Sequence, residues 1–220
     1  MRRTRLTAIA AFALALGLLA PAWAAEFSPT ISFDLSTKKI KANPEVGVIV
    51  EQEQDEEELA TVKLKFPKGY KLAKDGKLQN GEQLGEGQIR IDAGPRCNGQ
   101  GPISAPVTVP VNIVERNRTT KEVADGVKAV YVVDLRPVTT IDLLVRGSAK
   151  KGWTLTGAIP PNNYTCPPFT FDASIFKKAE ATGTKIIRNP SKPGKYTLKA
   201  TFTGIEGSKS TTKKTVKIKK

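Results

Sequence analysis

The chain has 220 residues, 35 Lys+Arg against 21 Asp+Glu, no histidine, one methionine (Met1) and two cysteines. Without an imidazole to shuttle a proton or hold a metal, a Ser-His-Asp hydrolase, a Cys-His transpeptidase, a His-liganded zinc site and a blue-copper centre are all excluded. The two cysteines, Cys97 and Cys166, are too few and too distant for a thiolate metal cluster or a C-x-x-C redox motif.

In chain order, Arg2, Arg3 and Arg5 precede an apolar run from Leu6 to Ala20, and Ala22-Trp23-Ala24 supplies the small residues of a cleavage site. Residues 1–24 therefore read as a signal peptide cut between Ala24 and Ala25, with general secretion preferred over the twin-arginine route because Arg5 sits where the latter wants an apolar residue. The run is shorter than the roughly 20 residues of a bilayer span, and no later stretch approaches it. The expected product is secreted, with the cell wall as one destination, and carries no transmembrane segment after cleavage. In that oxidising setting Cys97 and Cys166 are expected to form a disulfide, worth very roughly 4 kcal/mol as a closed loop.

Strand signals follow at once. Ile31, Phe33 and Leu35 alternate with polar residues, and Val46, Val48 and Val50 repeat the same period of two. The run from Glu51 to Glu58 is acidic and is expected as a solvated loop; its carboxylates are of the type calcium takes, without the glycine-punctuated spacing of a calcium loop. Val62, Leu64 and Phe66 follow, with Lys63 and Lys65 outward, and Pro67-Lys68-Gly69 ends that strand. Residues 71–87, with Asp75-Gly76 and Asn80-Gly81, are expected as loop or a short hairpin. Gln88–Asp92 and Val107–Val114 read as strands, Pro106 and Pro110 placing the second toward a sheet edge. Asp125-Gly126 turns the chain into Val127, Ala129, Tyr131, Val133 and Leu135 in alternation, which return after Arg136-Pro137 through Val138–Val145. Trp153, Leu155, Gly157 and Ile159 share a face, prolines surround Cys166, and Phe169 and Phe171 open another strand. Tyr196, Leu198, Ala200 and Phe202 then alternate with lysine and threonine, Gly204–Ser208 turns, and the last strand returns with Val216 and Ile218 inward. With no sustained helical period, the expected fold is all-β: an antiparallel β-sandwich, either two Ig-like halves (25–122 and 123–220) or one intertwined sandwich.

The charge is lopsided. Loss of the three leader arginines lowers the formal charge from +14 to +11, and residues 177–220 hold 13 Lys/Arg against Glu180 and Glu206, while residues 25–176 balance 19 against 19. A basic segment attracts anions, and outside a cell these are wall polymers, acidic polysaccharides and lipid headgroups more often than nucleic acid. Lys209, Lys213, Lys214, Lys217 and Lys219 are the candidate anion-binding residues; the alternative is that they only protect an exposed edge strand from pairing. Nucleic acid is not expected as a partner, because the segment offers only Tyr196 and Phe202 for stacking, both at inward positions.

Other chemistry is thin. Ser36/Lys39, Ser148/Lys151, Ser174/Lys177 and Ser210/Lys213 match Ser-x-x-Lys but lack the companion motifs of penicillin-binding enzymes. Asp34, Asp92, Asp134, Asp142 and Asp172 stand in or beside strands, where a histidine-free glycosidase could pair two of them. Trp153 is expected in the core, with sugar stacking the alternative. Asn117-Arg118-Thr119 and Asn163-Tyr164-Thr165 are glycosylation sequons.

Asp125-Gly126-Val127-Lys128-Ala129-Val130-Tyr131, the stretch Ile141–Val145, Asn189-Pro190 followed by Gly194-Lys195-Tyr196-Thr197-Leu198, and Leu64-Lys65-Phe66-Pro67-Lys68-Gly69-Tyr70 together make the chain resemble uncharacterised secreted β-rich proteins of high-GC Gram-positive bacteria. Many of those carry a cysteine where Pro193 stands here. The resemblance implies secretion and a sandwich fold, and no activity. The expected function is thus a secreted, non-catalytic module, without cofactor, that adheres to an anionic wall polymer, polysaccharide or lipid surface through its basic end. A structural scaffold, a carrier of a small apolar ligand and a glycosidase stand as alternatives.

Overall fold

The computed structural model describes residues 27–53, 56–73, 77–93, 102–136, 139–160 and 168–220. The signal segment 1–24, Cys97, Cys166 and the Pro137 turn lie outside the described residues. Within them the alternating segments become β1 (Thr30–Leu35), β2 (Val46–Gln52), β3 (Leu59–Phe66), β4 (Lys71–Leu72), β5 (Gln83–Ile91), β6 (Val107–Arg116), β7 (Ala129–Asp134), β8 (Thr140–Ser148), β9 (Gly152–Ala158), β10 (Phe169–Ile175), β11 (Ile187–Arg188), β12 (Gly194–Gly204) and β13 (Lys209–Ile218). One short helix, α1 (Thr120–Ala124), precedes β7.

Eleven strands join in one antiparallel sheet, in the order β1-β2-β10-β5-β6-β7-β8-β9-β3-β12-β13, and β4 pairs with β11 apart from it. The sheet nearly closes on itself. Beyond the ends of β1 and β13, Lys39 and Lys219 form a parallel bridge in which Ile40 N–H donates to Lys219 O and Lys219 N–H to Lys38 O, both at 2.8 Å. Asn189 clamps the same place, its Nδ2 donating to Thr37 O and Lys39 O at 3.0 Å.

The inner face is one core. Residues from β1 through β13 belong to a single buried cluster, and Phe33, Phe66, Tyr70 and Tyr196 run through it edge to face at centroid distances of 6.5, 5.8 and 5.9 Å. The chain crosses residue 122 in both directions: β10 lies between β2 and β5, and β3 between β9 and β12. The arrangement is therefore intertwined, with strands from 25–122 and 123–220 sharing one core.

Three local features depart from the expected elements. Residues 83–87 belong to β5 rather than to a loop, and its glycines serve close approach: a Cβ on Gly87 would meet Ala173 Cα at 2.5 Å on β10. Pro110 is not on an edge strand, since β6 pairs with both β5 and β7; but β7 pairs only with Asn112–Arg116, so the missing N–H of Pro110 falls where β6 has no partner on that side. Finally, β7 is buried on both faces. Its outward Val130 and Val132 pack with Val114, Leu144 and Val127, the last carried by the segment after α1. Arg116 holds that segment down through Glu122 (2.7 Å) and Asp142 (2.5 Å), and Thr119 and Glu122 form a capping box on α1.

Candidate functional site

Strand pairing fixes which outward side chains become neighbours. Arg146 on β8 is opposite Thr154 on β9, Thr154 opposite Lys65 on β3, Lys65 opposite Lys199 on β12, and Lys199 opposite Lys213 on β13. Arg146, Thr154 and Lys199 adjoin buried residues such as Val145, Leu155, Leu198 and Ala200, Lys65 adjoins buried Phe66, and Lys213 shares their side through its pairing with Lys199, so the row projects from the outside of the sheet. With strands about 4.8 Å apart, the row is roughly 19 Å long.

Lys199 has a lysine on either side, and among the described residues none of Arg146, Lys65, Lys199 and Lys213 takes part in an ion pair. Threonines fill the adjoining rows. Thr197 and Thr215 are 2.9 Å apart at their hydroxyls and Thr201 and Thr211 are 3.2 Å apart, while Lys63 faces Thr201 and Thr156. An open groove of about 410 Å³ runs here, lined by Lys65, Lys151, Thr154, Thr197, Lys199 and Lys213 with no carboxylate. Every polar side chain on it donates or, for threonine, donates and accepts, which suits phosphate or carboxylate oxygens.

The five lysines singled out from the sequence separate in space. Lys213 is in the row, and Lys209 and Lys217 share its outward side, opposite Thr203 and Lys195. Lys219 sits at the closure beside Lys39. Lys214 pairs with Leu198 and shares the side of Val216 and Ile218, so it does not belong to the outer face, although it is exposed. The sequence does not mark Lys65, Arg146, Lys151 or Lys199 as members; the outward alternation of Lys63 and Lys65 is the one signal pointing beyond the C-terminal segment.

The carboxylates are placed otherwise. Asp92, Asp134 and Asp142 are held by Arg90, Arg136 and Arg116, and Asp34 and Asp172 are exposed on strand positions that alternate with inward residues. The acidic run is not simply solvated. Gln52, Glu56 and Glu58 are buried, Ser28 donates to Glu56 Oε1 at 2.9 Å, and Glu57 Oε1 accepts the N–H groups of Glu206 and Gly207 in the turn before β13. Among the described members, buried Gln52, Glu56 and Glu58 contrast with the exposed Glu51 and Glu53 and the half-buried Glu57. Among the described residues no group of three His, Cys, Asp or Glu side chains is placed to hold a metal ion. Trp153 is a core residue, 2% exposed, with its indole N–H on Tyr70 O at 2.9 Å. No described helix is long and apolar enough to cross a membrane.

No protein-family model and no curated protein matches the chain.

Proposed function

We propose that the protein is an exported, non-catalytic β-protein that binds an anionic polymer through the outer face of β8, β9, β3, β12 and β13. The observation that carries this reading is Lys199 between Lys65 and Lys213 on hydrogen-bonded strands with no carboxylate among them. Like charges directly opposite on a sheet destabilise it, by the same roughly 0.2–1 kcal/mol that opposite charges contribute. A chain of phosphates or carboxylates laid along the row relieves that repulsion, and the row spans several successive anionic groups. Nucleic acid fits less well, because Phe202 is buried and Tyr196 is half-buried with its hydroxyl on Lys192 O, which leaves no exposed stacking platform in the basic segment. We read the nearly closed sheet as a sandwich flattened enough for Phe33 of β1 to meet Phe66 of β3, with apolar space left between its walls.

Sedimentation with purified cell walls and, separately, with anionic vesicles tests the assignment and separates polymer from lipid. The triple variant K65Q/K199Q/K213Q should lose on the order of 100-fold affinity at low salt, at about 1 kcal/mol per lysine near an anionic surface. K214Q, on the other side of β13, should bind as wild type, and raising ionic strength should release the wild type. A folded triple variant that binds like wild type would remove the proposal and leave the lysines as edge protection and solubility.

A further inference from the structure

An eight-stranded closed sheet is just wide enough for its own side chains to fill; a larger circumference leaves space inside. Here eleven strands curl round, and the space is present: a cavity of about 140 Å³ lined throughout by aliphatic and aromatic side chains. The one polar atom among them, the Tyr131 hydroxyl, is already used, donating to Ala73 O at 2.8 Å.

The inner surface itself shows that it is not filled. Ile31, Phe33, Ile89 and Ile113 on the cavity wall are buried, as core residues should be. Val50, Val62, Leu64, Ile141, Leu143 and Phe171 line the same cavity, yet each remains only half-buried. Close-packed interiors do not leave such a girdle of inward apolar groups accessible, here in two arcs, one on β2 and β10 and one on β3 and β8. Gly157 takes part in shaping it. A Cβ there would lie 2.7 Å from Leu143 Cδ2, 3.1 Å from Ile141 Cγ2 and 3.4 Å from Val62 Cγ1, so three girdle side chains close over a glycine that yields its volume to them.

We infer that this cavity is a binding site for a small uncharged apolar molecule of about the bulk of one aromatic ring. An apolar cavity of about 150 Å³ in another protein stays dry and takes benzene, which sets the scale. The lining chemistry sets the class: a ligand carrying a carboxylate or hydroxyl would bury it without a partner. The inference is independent of the lysine face, which lies on the opposite side of the same strands.

Toluene is the direct probe, titrated calorimetrically into the secreted, folded chain with phenol and decanoate as comparisons. Wild type should bind toluene with a negative heat-capacity change and a raised melting midpoint, and phenol at least about tenfold more weakly. L143F, which puts a ring into the girdle, should abolish toluene binding; L143A, which enlarges the space, should retain it. The pair keeps the test decisive if the larger side chain is not tolerated, since L143A alone must then keep binding while accepting a bulkier ring such as naphthalene better than wild type does. No heat and no shift with toluene, equal affinity for phenol or decanoate, or binding unchanged in both variants would each overturn the inference.

Discussion

At the scale of single residues, the most consequential polar contact outside the lysine row is the fork of Arg116 onto Glu122 and Asp142. The hydrogen bond from Arg116 holds the Glu122 carboxyl down at about 2 from its ordinary 4.5, against the burial that would raise it. A depressed carboxyl stabilises the fold above its unfolded value and ceases to do so as pH falls through the folded one. The contribution is therefore complete above about pH 4.5 and is lost on approach to pH 2. Because Glu122 also caps α1 and fastens the segment over Val130 and Val132, acid should loosen residues 117–127 before the sheet. Amide exchange corrected for intrinsic rates should show protection falling over that segment between pH 4.5 and pH 2, and E122Q should lower it at all pH values while flattening the dependence. Unchanged protection at pH 2 in the wild type would mean that the ion pair does not hold the segment.

At the scale of elements, β12 combines two opposed demands. Its inward Leu198, Ala200 and Phe202 are nearly inaccessible, at 1%, 0% and 1%, and anchor the strand in the core. Its outward Lys199 faces cations on both sides, which natural sheets ordinarily avoid. K199T replaces a doubly repelled lysine by a residue well suited to an exposed strand, and should raise stability by roughly 0.4–2 kcal/mol at low salt, as two like-charge pairs disappear. The gain should shrink at high salt, where the repulsion is screened. Urea midpoints at two ionic strengths measure both effects. A variant more stable yet weaker in binding would mark Lys199 as kept at the expense of stability; one that is less stable would show that the lysine stem contributes packing that outweighs the charge.

At the scale of the whole molecule, the interleaving of strands makes the two halves of the sequence mutually dependent. A fragment ending at residue 122 lacks β10, which separates β2 from β5, and a fragment beginning at 123 lacks β3, which separates β9 from β12. Each would leave unpaired strand edges and an open apolar face. Neither fragment, 25–122 nor 123–220, should give a cooperative thermal transition alone, whereas the two mixed should regain one. Independent two-state unfolding of either would show that the chain divides near 122 after all.

Much of the strand content was legible in sequence because a period of two reports which side chains face a core. Val62, Leu64 and Phe66, or Leu198, Ala200 and Phe202, needed no partner to be identified as inward. Gly85 and Gly87 were misread as loop because their reason for being glycine is the backbone of β10, some 85 residues away. The helix α1 was missed because five residues are too short for a helical period to register.

The candidate site divides in the same way. The sequence by itself determined, through its composition, that histidine chemistry is impossible and, through the order of its residues, that the charge gathers at the C-terminal end, where Val216 and Ile218 mark the inward side of the last strand. Only the tertiary structure decided that Lys65 and Arg146 join Lys199 and Lys213, that Lys214 belongs to the other side, and that the acidic run is partly buried. It also decided that eleven strands curl around a space their side chains do not fill. The physical reason is that alternation is a local property of one strand, read from its own side chains. Which strands lie side by side, and how many close the sheet, is settled by hydrogen bonding and apolar burial between segments far apart in the chain.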